Sequence, residues 1–230
     1  MCGRYTNTAG PEELNERFRV PIATAEGTGR YNVAPTEQVL AILAPKGEPE
    51  ARLLRWGLIP HWAKDLKGGA RMINARMETV ERKPAYRNLI GKSSRRALAL
   101  ADGYFEWLKP EHRSQPRQPF YFQLDGGVPF AFAALWTPAK IDGEWIESVT
   151  LLTCDSASNG VAAPIHDRMP VILADPEAQR AWLDPALGSE DALALCGPLP
   201  SERLSARAAN PAVNKAGGPV EGPELLTAPI

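Results

Sequence analysis

Short apolar stretches of four to seven residues, separated by glycine, proline and charged turns, constrain the fold of this chain more than any other feature. Stretches of this length and composition are typical of β-strands, whereas an amphipathic helix usually needs about ten residues or more. We predict strands over residues 38–43, 51–56, 97–100, 103–107, 120–124, 130–136 and 148–153.

The helical signals are few and short. Pro11 opens one candidate helix, and two glutamates follow it at the end where the helix dipole favours acidic side chains. A second candidate helix begins similarly, with Asp175 as its N-cap residue and Pro176 in its first turn. Short strands with a few short helices predict an α+β fold. We predict helices over residues 11–18, 84–89, 175–183 and 189–195.

Length and composition favour a single domain. A chain of 230 residues can bury one sizeable core, and no stretch has the composition of a linker between domains. We expect one domain over residues 1–230, with a hairpin loop at 110–119 and a tail at 208–230 that covers part of the core. The apolar stretches are too short to cross a bilayer, so we expect a soluble protein without a membrane partner.

Cysteine usage and charge narrow the class of protein further. The three cysteines, at positions 2, 154 and 196, are an odd number without close spacing, which argues against a disulfide framework or a zinc site. We expect a reducing cytoplasm, no metal and no cofactor. The net charge is −1, yet eight lysines and arginines outnumber two glutamates over residues 71–96. Such a segment is typical of a solvated face or of a surface that binds polyanions.

The first two residues, Met1 and Cys2, offer unusual chemistry. Removal of Met1 would leave Cys2 with a free α-amine beside its thiol. An aldehyde condenses with the amine to an imine, and the thiol then closes a five-membered thiazolidine ring. An α-amine titrates near ~7.8 and a lysine near ~10.4, so the terminal amine is far more nucleophilic at neutral pH. A cysteine at position 2 also occurs by chance, so this reading needs support from other residues.

Glu106 is a polar residue in apolar surroundings. In a strand over 103–107 it shares a face with Tyr104, opposite Phe105 and Trp107. It is either a solvated carboxylate on an edge strand or a carboxyl that its aromatic neighbours desolvate. Desolvation would raise its tendency to hold a proton, which suits general acid catalysis.

His166 and two asparagines are further candidates. His166 lies in a turn with Asp167 and Arg168 as orienting charges, where it is either an acid-base group or a structural hydrogen-bonding residue. Asn32 and Asn74 are either turn residues or amides that position a phosphate or sugar oxygen.

Arginines and tryptophans could supply a nucleic-acid surface. Arginines make charge-assisted contacts with phosphates, and an exposed tryptophan can stack on an unpaired base. A buried tryptophan in the core is the alternative. We predict DNA contacts from Arg4, Asn32, Trp62, Arg76, Trp107 and Arg168.

Six motifs occur in order along the chain. They are Met1-Cys2-Gly3-Arg4-Tyr5, Tyr31-Asn32-Val33-Ala34-Pro35-Thr36, Trp56-Gly57-Leu58-Ile59-Pro60, Ile73-Asn74-Ala75-Arg76, Ala101-Asp102-Gly103-Tyr104-Phe105-Glu106-Trp107 and Ile165-His166-Asp167-Arg168-Met169-Pro170. Through these motifs the whole chain resembles the SOS response-associated peptidase (SRAP) family, and the C-terminal residues 223–230 also resemble the ending of that family.

The resemblance implies a curved, mainly antiparallel and barrel-like β core flanked by short helices. It also implies a sensor of abasic sites in single-stranded DNA that crosslinks itself to the lesion through Cys2 as a thiazolidine. In this reading Glu106 is the acid-base group, His166 assists imine formation and ring opening, and Asn74 holds the site near Cys2. Slow reversal, strand cleavage by β-elimination and self-catalysed loss of Met1 accompany the implied activity.

Two other functions remain open on sequence alone. A thiol peptidase would use Cys2, His166 and Asn74 against peptide substrates. A non-covalent reader of single-stranded or modified DNA would use only the basic and aromatic surface. For the crosslinking function we expect abasic single-stranded DNA and replication-fork components as partners, a monomer, and a location in the cytoplasm near the nucleoid.

Overall fold

The computed structural model describes residues 2–110, 112, 116–215 and 221–229. The described strands are β1 (Arg4–Asn7), β2 (Arg30–Val33), β3 (Gln38–Leu43), β4 (Glu50–Trp56), β5 (Asn74–Arg76), β6 (Arg96–Ala101), β7 (Gly103–Trp107), β8 (Pro119–Leu124), β9 (Phe130–Ile141), β10 (Glu144–Asp155), β11 (Arg168–Pro170), β12 (Ile172–Leu173) and β13 (Leu204–Ala208). The described α-helices are α1 (Pro11–Phe18), α2 (Arg87–Ile90), α3 (Pro176–Leu183) and α4 (Ser189–Ala194).

Five strands close into a barrel. Their order is β4-β3-β6-β9-β10, and the ring closes where β10 pairs with β4 in parallel through Ser148 opposite Arg55 and Val149 opposite Trp56. The other four pairings of the ring are antiparallel. Closure leaves no free edge on these strands, which protects them from pairing with another chain. The α+β, barrel-like fold predicted from the sequence is thereby confirmed.

A second sheet places the amino-terminal strand beside the barrel. Its strand order is β13-β8-β7-β1-β2, so β1 lies between β7 and β2. Tyr5 of β1 packs edge-on against Trp56 and Phe132 of the barrel, with ring centroids 5.1 and 5.5 Å away. Buried aromatic pairs of this geometry add about 0.5–1.5 kcal/mol each to the gain from area burial. The residues just before β1 are therefore anchored to the core.

The predicted strands are all present, and the structure extends two of them. The strands predicted at 130–136 and 148–153 are β9 and β10, which run on to Ile141 and begin at Glu144 to form one long hairpin. Its turn contains Asp142 and Gly143 at positive φ. The sequence prediction stopped early because the distal part of this hairpin is polar.

The predicted helices at 11–18, 175–183 and 189–195 are present within one residue at each end, whereas the one predicted over 84–89 begins only at Arg87, as α2, after turns at 84–86; one cap also differs. Asp175 occupies the N-cap position of α3, but its carboxylate makes no capping hydrogen bond. Instead it accepts two hydrogen bonds from the Arg203 guanidinium, at 2.7 and 2.9 Å. A bidentate partner with a full charge competes with the backbone N–H groups of the helix for the same oxygens.

Part of the predicted basic surface is buried. Arg96 has no exposed surface, and its guanidinium donates hydrogen bonds to the backbone carbonyls of Ile90, Trp182, Asp184 and Leu187. A guanidinium with five N–H donors satisfies several carbonyls at loop ends at once. Arg96 therefore joins α2, β6 and α3 and adds nothing to the charge of the surface.

The described residues of the tail, 208–215 and 221–229, pack against the second sheet. The 3₁₀ turns of the tail lie at Pro211–Asn214 and Pro223–Leu226, and the predicted loop at 110–119 lies partly outside the described residues. Val213 and Leu225 are buried in one cluster with Phe105. Among the described helices, none is long and apolar enough to cross a membrane.

Candidate functional site

Cys2 lies buried immediately before β1 and is tied to β5. The side-chain amide of Asn74, the first residue of β5, donates a hydrogen bond to the Cys2 carbonyl oxygen at 2.7 Å. The Cys2 thiol has a long contact of 3.7 Å to the Arg4 carbonyl oxygen. The contact between Asn74 and Cys2 spans 72 positions of the chain and fixes the backbone at the predicted nucleophile.

Glu106 lies next to the same segment through the pairing of β1 with β7. Arg4 stands opposite Phe105 in this antiparallel register, so Gly3 falls opposite Glu106. Only 2% of Glu106 is exposed, which excludes the solvated edge carboxylate. Burial raises the pKa of Glu106 from 4.5 to about 7. Both protonation states of this carboxyl are therefore populated at neutral pH, as a group that accepts and returns a proton requires.

Strand alternation in β7 has the predicted outcome. Tyr104 packs into the main core, where its ring stacks on Phe122 with centroids 4.7 Å apart. Phe105 and Trp107 belong to the separate cluster beneath the tail. The first residue of the strand is a glycine, Gly103, because a Cβ at this position would lie 2.1 Å from the Tyr121 hydroxyl.

His166 faces Glu106 from the segment before β11. Its Nε2 lies 4.0 Å from Oε2 of Glu106. Burial lowers the pKa of His166 below 6.5, so the ring is mainly neutral at neutral pH. The backbone N–H of Arg168 donates to Nδ1 at 3.0 Å, which places the proton of the neutral ring on Nε2. The structure therefore brings these two sequence-predicted residues close together, while their roles stay predictions.

Asp167 provides an alternative partner for the same ring nitrogen. Its carboxylate lies 3.0 Å from Nδ1 of His166, and its side chain is 86% exposed. Nδ1 cannot accept a hydrogen bond from Arg168 and donate one to Asp167 at the same time. The backbone N–H of Arg168 suits the neutral ring, whereas Asp167 stabilises the protonated ring and raises the pKa of His166. His166 therefore has a partner in each protonation state.

The thiol of Cys2 has an unfavourable setting for ionisation. Burial raises the pKa of Cys2 far above its ordinary value, and the negative charge of Glu106 raises it further. A thiol in this setting stays protonated until a base removes its proton during the reaction. The arrangement therefore suits a thiol that reacts second, after another nucleophile has made the first bond.

The predicted phosphate-binding arginines are in different environments. Arg76 is exposed at the end of β5, two residues beyond Asn74. Arg4 is half-buried, its Nη1 donates to the Gly3 carbonyl at 2.8 Å, and burial lowers its pKa. Both lie close in sequence to residues of the Cys2 site, so a phosphate contact by either stays a prediction.

Arg168 is held by an ion pair that the sequence prediction missed. Its guanidinium donates to both carboxylate oxygens of Glu78 at 2.7 and 2.9 Å, and to the Thr153 carbonyl at 2.7 Å. Only 8% of Arg168 is exposed. A phosphate would have to compete with Glu78 for this guanidinium, so the predicted DNA contact of Arg168 is untested.

Asn32 is buried and binds protein rather than solvent. It is 1% exposed, and its side-chain amide donates to the carbonyls of Val213 and Lys215 at 3.3 and 3.2 Å. Its predicted contact with DNA is likewise untested, and no side-chain donor of Asn32 faces the surface in this arrangement.

The two predicted tryptophans differ in exposure. Trp62 is 51% exposed and packs edge-on against His61 at 4.7 Å. Trp107 is half-buried at the end of β7, and its indole N–H donates to the Asn214 side-chain oxygen at 2.8 Å. Both rings remain candidates for base stacking.

Asp102 is a structural residue of the site that sequence reasoning did not single out. Its carboxylate accepts hydrogen bonds from the Thr6 hydroxyl and the Thr8 backbone N–H, each at 2.5 Å, and from the Ala9 N–H at 3.1 Å. These bonds fix the end of β1 to the start of β7. The Asp-Gly pair that precedes the strand of Glu106 was the available signal.

Comparison with known protein families identifies the family of this chain. The model of the SOS response associated peptidase (SRAP) family matches residues 1–216. This chain belongs to the SRAP family.

Named relatives extend over most of the chain. The abasic site processing protein YoqW of Bacillus subtilis is 35% identical over 233 residues, covering 98% of this chain and 99% of the relative. The abasic site processing protein YedK of Escherichia coli is 31% identical over 212 residues, covering 89% of this chain and 90% of the relative.

Solved structures share the fold. A protein of Bacteroides thetaiotaomicron covers 100% of both chains with a TM-score of 0.85 at 23% identity, which shows the fold alone. A phage-related protein of Bordetella bronchiseptica has a TM-score of 0.70 at 31% identity, covering 90% of this chain and 93% of that one.

Proposed function

We propose that this protein captures abasic sites in single-stranded DNA by forming a covalent crosslink through Cys2 after removal of Met1. The observation that carries the proposal is the position of Cys2, which Asn74 holds beside a carboxyl with a pKa of about 7. The names of YoqW and YedK state that they process abasic sites, which supports the same substrate here.

The bond-forming steps balance with the loss of one water. The α-amine of Cys2 adds to C1′ of the open-chain abasic sugar, and the hydroxyl of the resulting carbinolamine leaves as water to give an imine. The Cys2 sulfur then adds to the imine carbon, and the thiol proton passes to the nitrogen. The product is a thiazolidine that joins the amino terminus to the sugar.

Glu106 and His166 supply the proton transfers of this scheme. Opening the closed sugar requires loss of a proton from the C1′ hydroxyl and gain of one at the ring oxygen. Glu106 accepts the first proton in its ionised form and returns it in its neutral form. His166, whose Nε2 lies 4.0 Å from Glu106, protonates the ring oxygen as it leaves C1′ and does so from its protonated form, which Asp167 stabilises.

The same imine explains two further activities that we include in the proposal. Loss of a C2′ proton from the imine expels the 3′ phosphate and cuts the strand. Transfer of the thiazolidine N–H proton to sulfur, as the C–S bond breaks, restores the imine, and addition of water to the imine then releases the lesion slowly. Removal of Met1 is carried out by the protein itself or by a methionine aminopeptidase, since the small second residue permits either.

The thiol peptidase alternative fits the electrostatics poorly. A peptidase cysteine attacks first and needs a thiol pKa lowered by a neighbouring histidine. Here burial and the charge of Glu106 raise the pKa of the Cys2 thiol. In a Cys-His-Asn relay the asparagine would orient the histidine, whereas here Asn74 binds the Cys2 backbone. These features favour a reaction in which the amine attacks first.

A substitution at Cys2 separates the candidate functions. Cys2→Ser keeps a terminal amine but cannot form the stable sulfur-containing ring. With an abasic single-stranded oligonucleotide, the wild type should form heat-stable crosslinks, and the variant should form only an imine that borohydride traps. Cys154→Ala, which changes a buried internal cysteine, is the matched control and should retain the crosslink.

Two outcomes would overturn the proposal. Heat-stable crosslinks in Cys2→Ser would exclude the thiazolidine. A wild-type complex that dissociates completely on a denaturing gel, although Met1 has been removed, would support the non-covalent reader instead.

A further inference from the structure

Asn32 fixes a short stretch of the tail from inside the protein. Its side-chain amide donates to the carbonyl oxygens of Val213 and Lys215, at 3.3 and 3.2 Å. These two residues flank Asn214, so the backbone on both sides of Asn214 is held by one buried side chain. Unlike a surface side chain, Asn32 is 1% exposed and has little freedom to leave this position.

The side chain of Asn214 in turn fixes the orientation of Trp107. Its side-chain oxygen accepts a hydrogen bond from the Trp107 indole N–H at 2.8 Å. The indole has one polar atom, a donor, so a single acceptor sets the orientation of the ring in its own plane. Trp107 follows Glu106 directly and ends β7, so its half-buried ring lies at the strand end next to Glu106 but on the opposite face of the strand.

The carboxylate of Glu221 holds β2 from the other end of the tail. Its Oε1 accepts from the backbone N–H groups of Tyr31 and Asn32, at 2.7 and 3.0 Å. The Arg30 guanidinium lies 3.7 Å from the same oxygen. The tail is thus bonded to β2 on both sides of the segment that contacts Trp107.

We propose that the tail is part of the DNA-binding surface, with Asn214 as the positioning residue that orients Trp107 to stack on the base next to the abasic sugar. Asn32 acts through Asn214 and does not touch DNA. An indole face accepts any base by stacking, so this contact reads the presence of a neighbouring base and not its identity. The proposal rests on the proposed function, because it takes the lesion to lie at Glu106.

The first test separates binding from chemistry. Crosslinking rate is measured against oligonucleotide concentration for the wild type, for Asn214→Ala and for Asn88→Ala, a matched change at an exposed asparagine of α2. Asn214→Ala should raise the half-saturating concentration about fivefold, as expected for loss of one hydrogen bond, and leave the rate at saturating DNA unchanged. Asn88→Ala should match the wild type.

A second oligonucleotide tests stacking itself. When base-free spacers replace the nucleotides that flank the abasic site, Trp107 has no ring to stack on. The wild type and Asn214→Ala should then have equal half-saturating concentrations. Three results would overturn the positioning role. They are an equal rise in the half-saturating concentration of Asn214→Ala with both oligonucleotides, no rise with either, and a fall in the crosslinking rate at saturating DNA.

A spectroscopic measurement makes the inference independent of the crosslinking activity. The indole N–H signal of Trp107 in a ¹⁵N correlation spectrum is assigned from its absence in Trp107→Phe. Asn214→Ala should shift this signal and speed its hydrogen exchange, whereas Asn214→Asp, which keeps an acceptor oxygen, should preserve its protection. An unchanged signal in Asn214→Ala would contradict the inference, while absence of wild-type crosslinks alone would count against the proposed function.

Discussion

The side-chain amide of Asn74 donates a hydrogen bond of 2.7 Å to the backbone carbonyl of Cys2. This bond joins β5 to the segment that leads into β1, and it holds the residue that must be placed against Glu106. Asn74 therefore acts on the position of the nucleophile.

Removing this bond should slow the chemistry. Asn74→Leu keeps a similar volume but has no donor, so Cys2 loses its fixed carbonyl. The crosslinking rate at saturating abasic DNA should fall about tenfold, the equivalent of ~1.4 kcal/mol for one hydrogen bond. Asn88→Leu on α2 serves as the control. A normal rate for Asn74→Leu, measured by single-turnover kinetics, would show that the bond is not needed.

Glu106 should make stability depend on pH. The folded protein holds the Glu106 proton up to a pKa of about 7, whereas the unfolded chain releases it near 4.5. The contribution of Glu106 to the free energy of unfolding is therefore largest below pH 4.5 and is lost as the pH rises through 7. In Glu106→Gln the side chain does not ionise, so the free energy of unfolding does not fall for this reason as the pH rises.

The free energy of unfolding of Glu106→Gln, relative to that of the wild type, should increase by about 3 kcal/mol between about pH 4.5 and about pH 8. Urea unfolding across this range measures the gain. A gain that does not change with pH would show that Glu106 keeps an ordinary pKa in the folded protein.

Glu78 should have opposite effects on stability and on DNA binding. Glu78→Ala leaves the buried Arg168 guanidinium without its carboxylate, and because the Glu78 side chain is partly exposed we expect a loss of about 2 kcal/mol of unfolding free energy. If Arg168 binds phosphate, the same change frees it and tightens the binding of undamaged single-stranded DNA.

Glu81→Ala is the control for that pair, since it removes the same charge from an exposed neighbour. Fluorescence anisotropy measures the binding, and denaturant unfolding measures the stability. Equal effects of the two variants on both measurements would mean that the pairing of Glu78 with Arg168 has no specific role.

Gly103 should not tolerate a side chain. A Cβ at this position would lie 2.1 Å from the Tyr121 hydroxyl, which itself lies 3.1 Å from the Thr6 hydroxyl. Gly103→Ala should lower the free energy of unfolding by about 1–3 kcal/mol, as overpacking does elsewhere. Gly68→Ala, where no atom lies within 4 Å of the new Cβ, should be close to neutral. Similar unfolding midpoints for the two variants would contradict this packing argument.

Local patterns were sufficient to predict much of the fold. Alternation in β7 placed Glu106 on the core face and Phe105 on the other, because neighbouring strand residues always point to opposite sides. The strand Arg4–Asn7 was missed since RYTN has four residues and no apolar run. Its strand conformation depends on pairing with β7 and β2, which no local pattern reports.

The resemblance already placed Asn74 near Cys2, and the structure brings these two residues together across 72 positions of the chain. No local pattern indicated the ion pair of Arg168 with Glu78, which spans 90 positions. Asn32, predicted at a DNA surface, bonds to a carbonyl 181 positions away. Such contacts depend on how the barrel closes and where the tail returns, and the order of residues along the chain does not encode them locally.

Intact-mass spectrometry of the protein, before and after incubation with an abasic single-stranded oligonucleotide, tests the role of Cys2 most directly. The protein alone should lack one methionine residue. The product should then contain one protein and one oligonucleotide less one water, with the bond mapped to the amino-terminal Cys2 by peptide analysis. An adduct that retains Met1, a bond at another residue, or the absence of any adduct from protein that lacks Met1 would contradict the proposed chemistry.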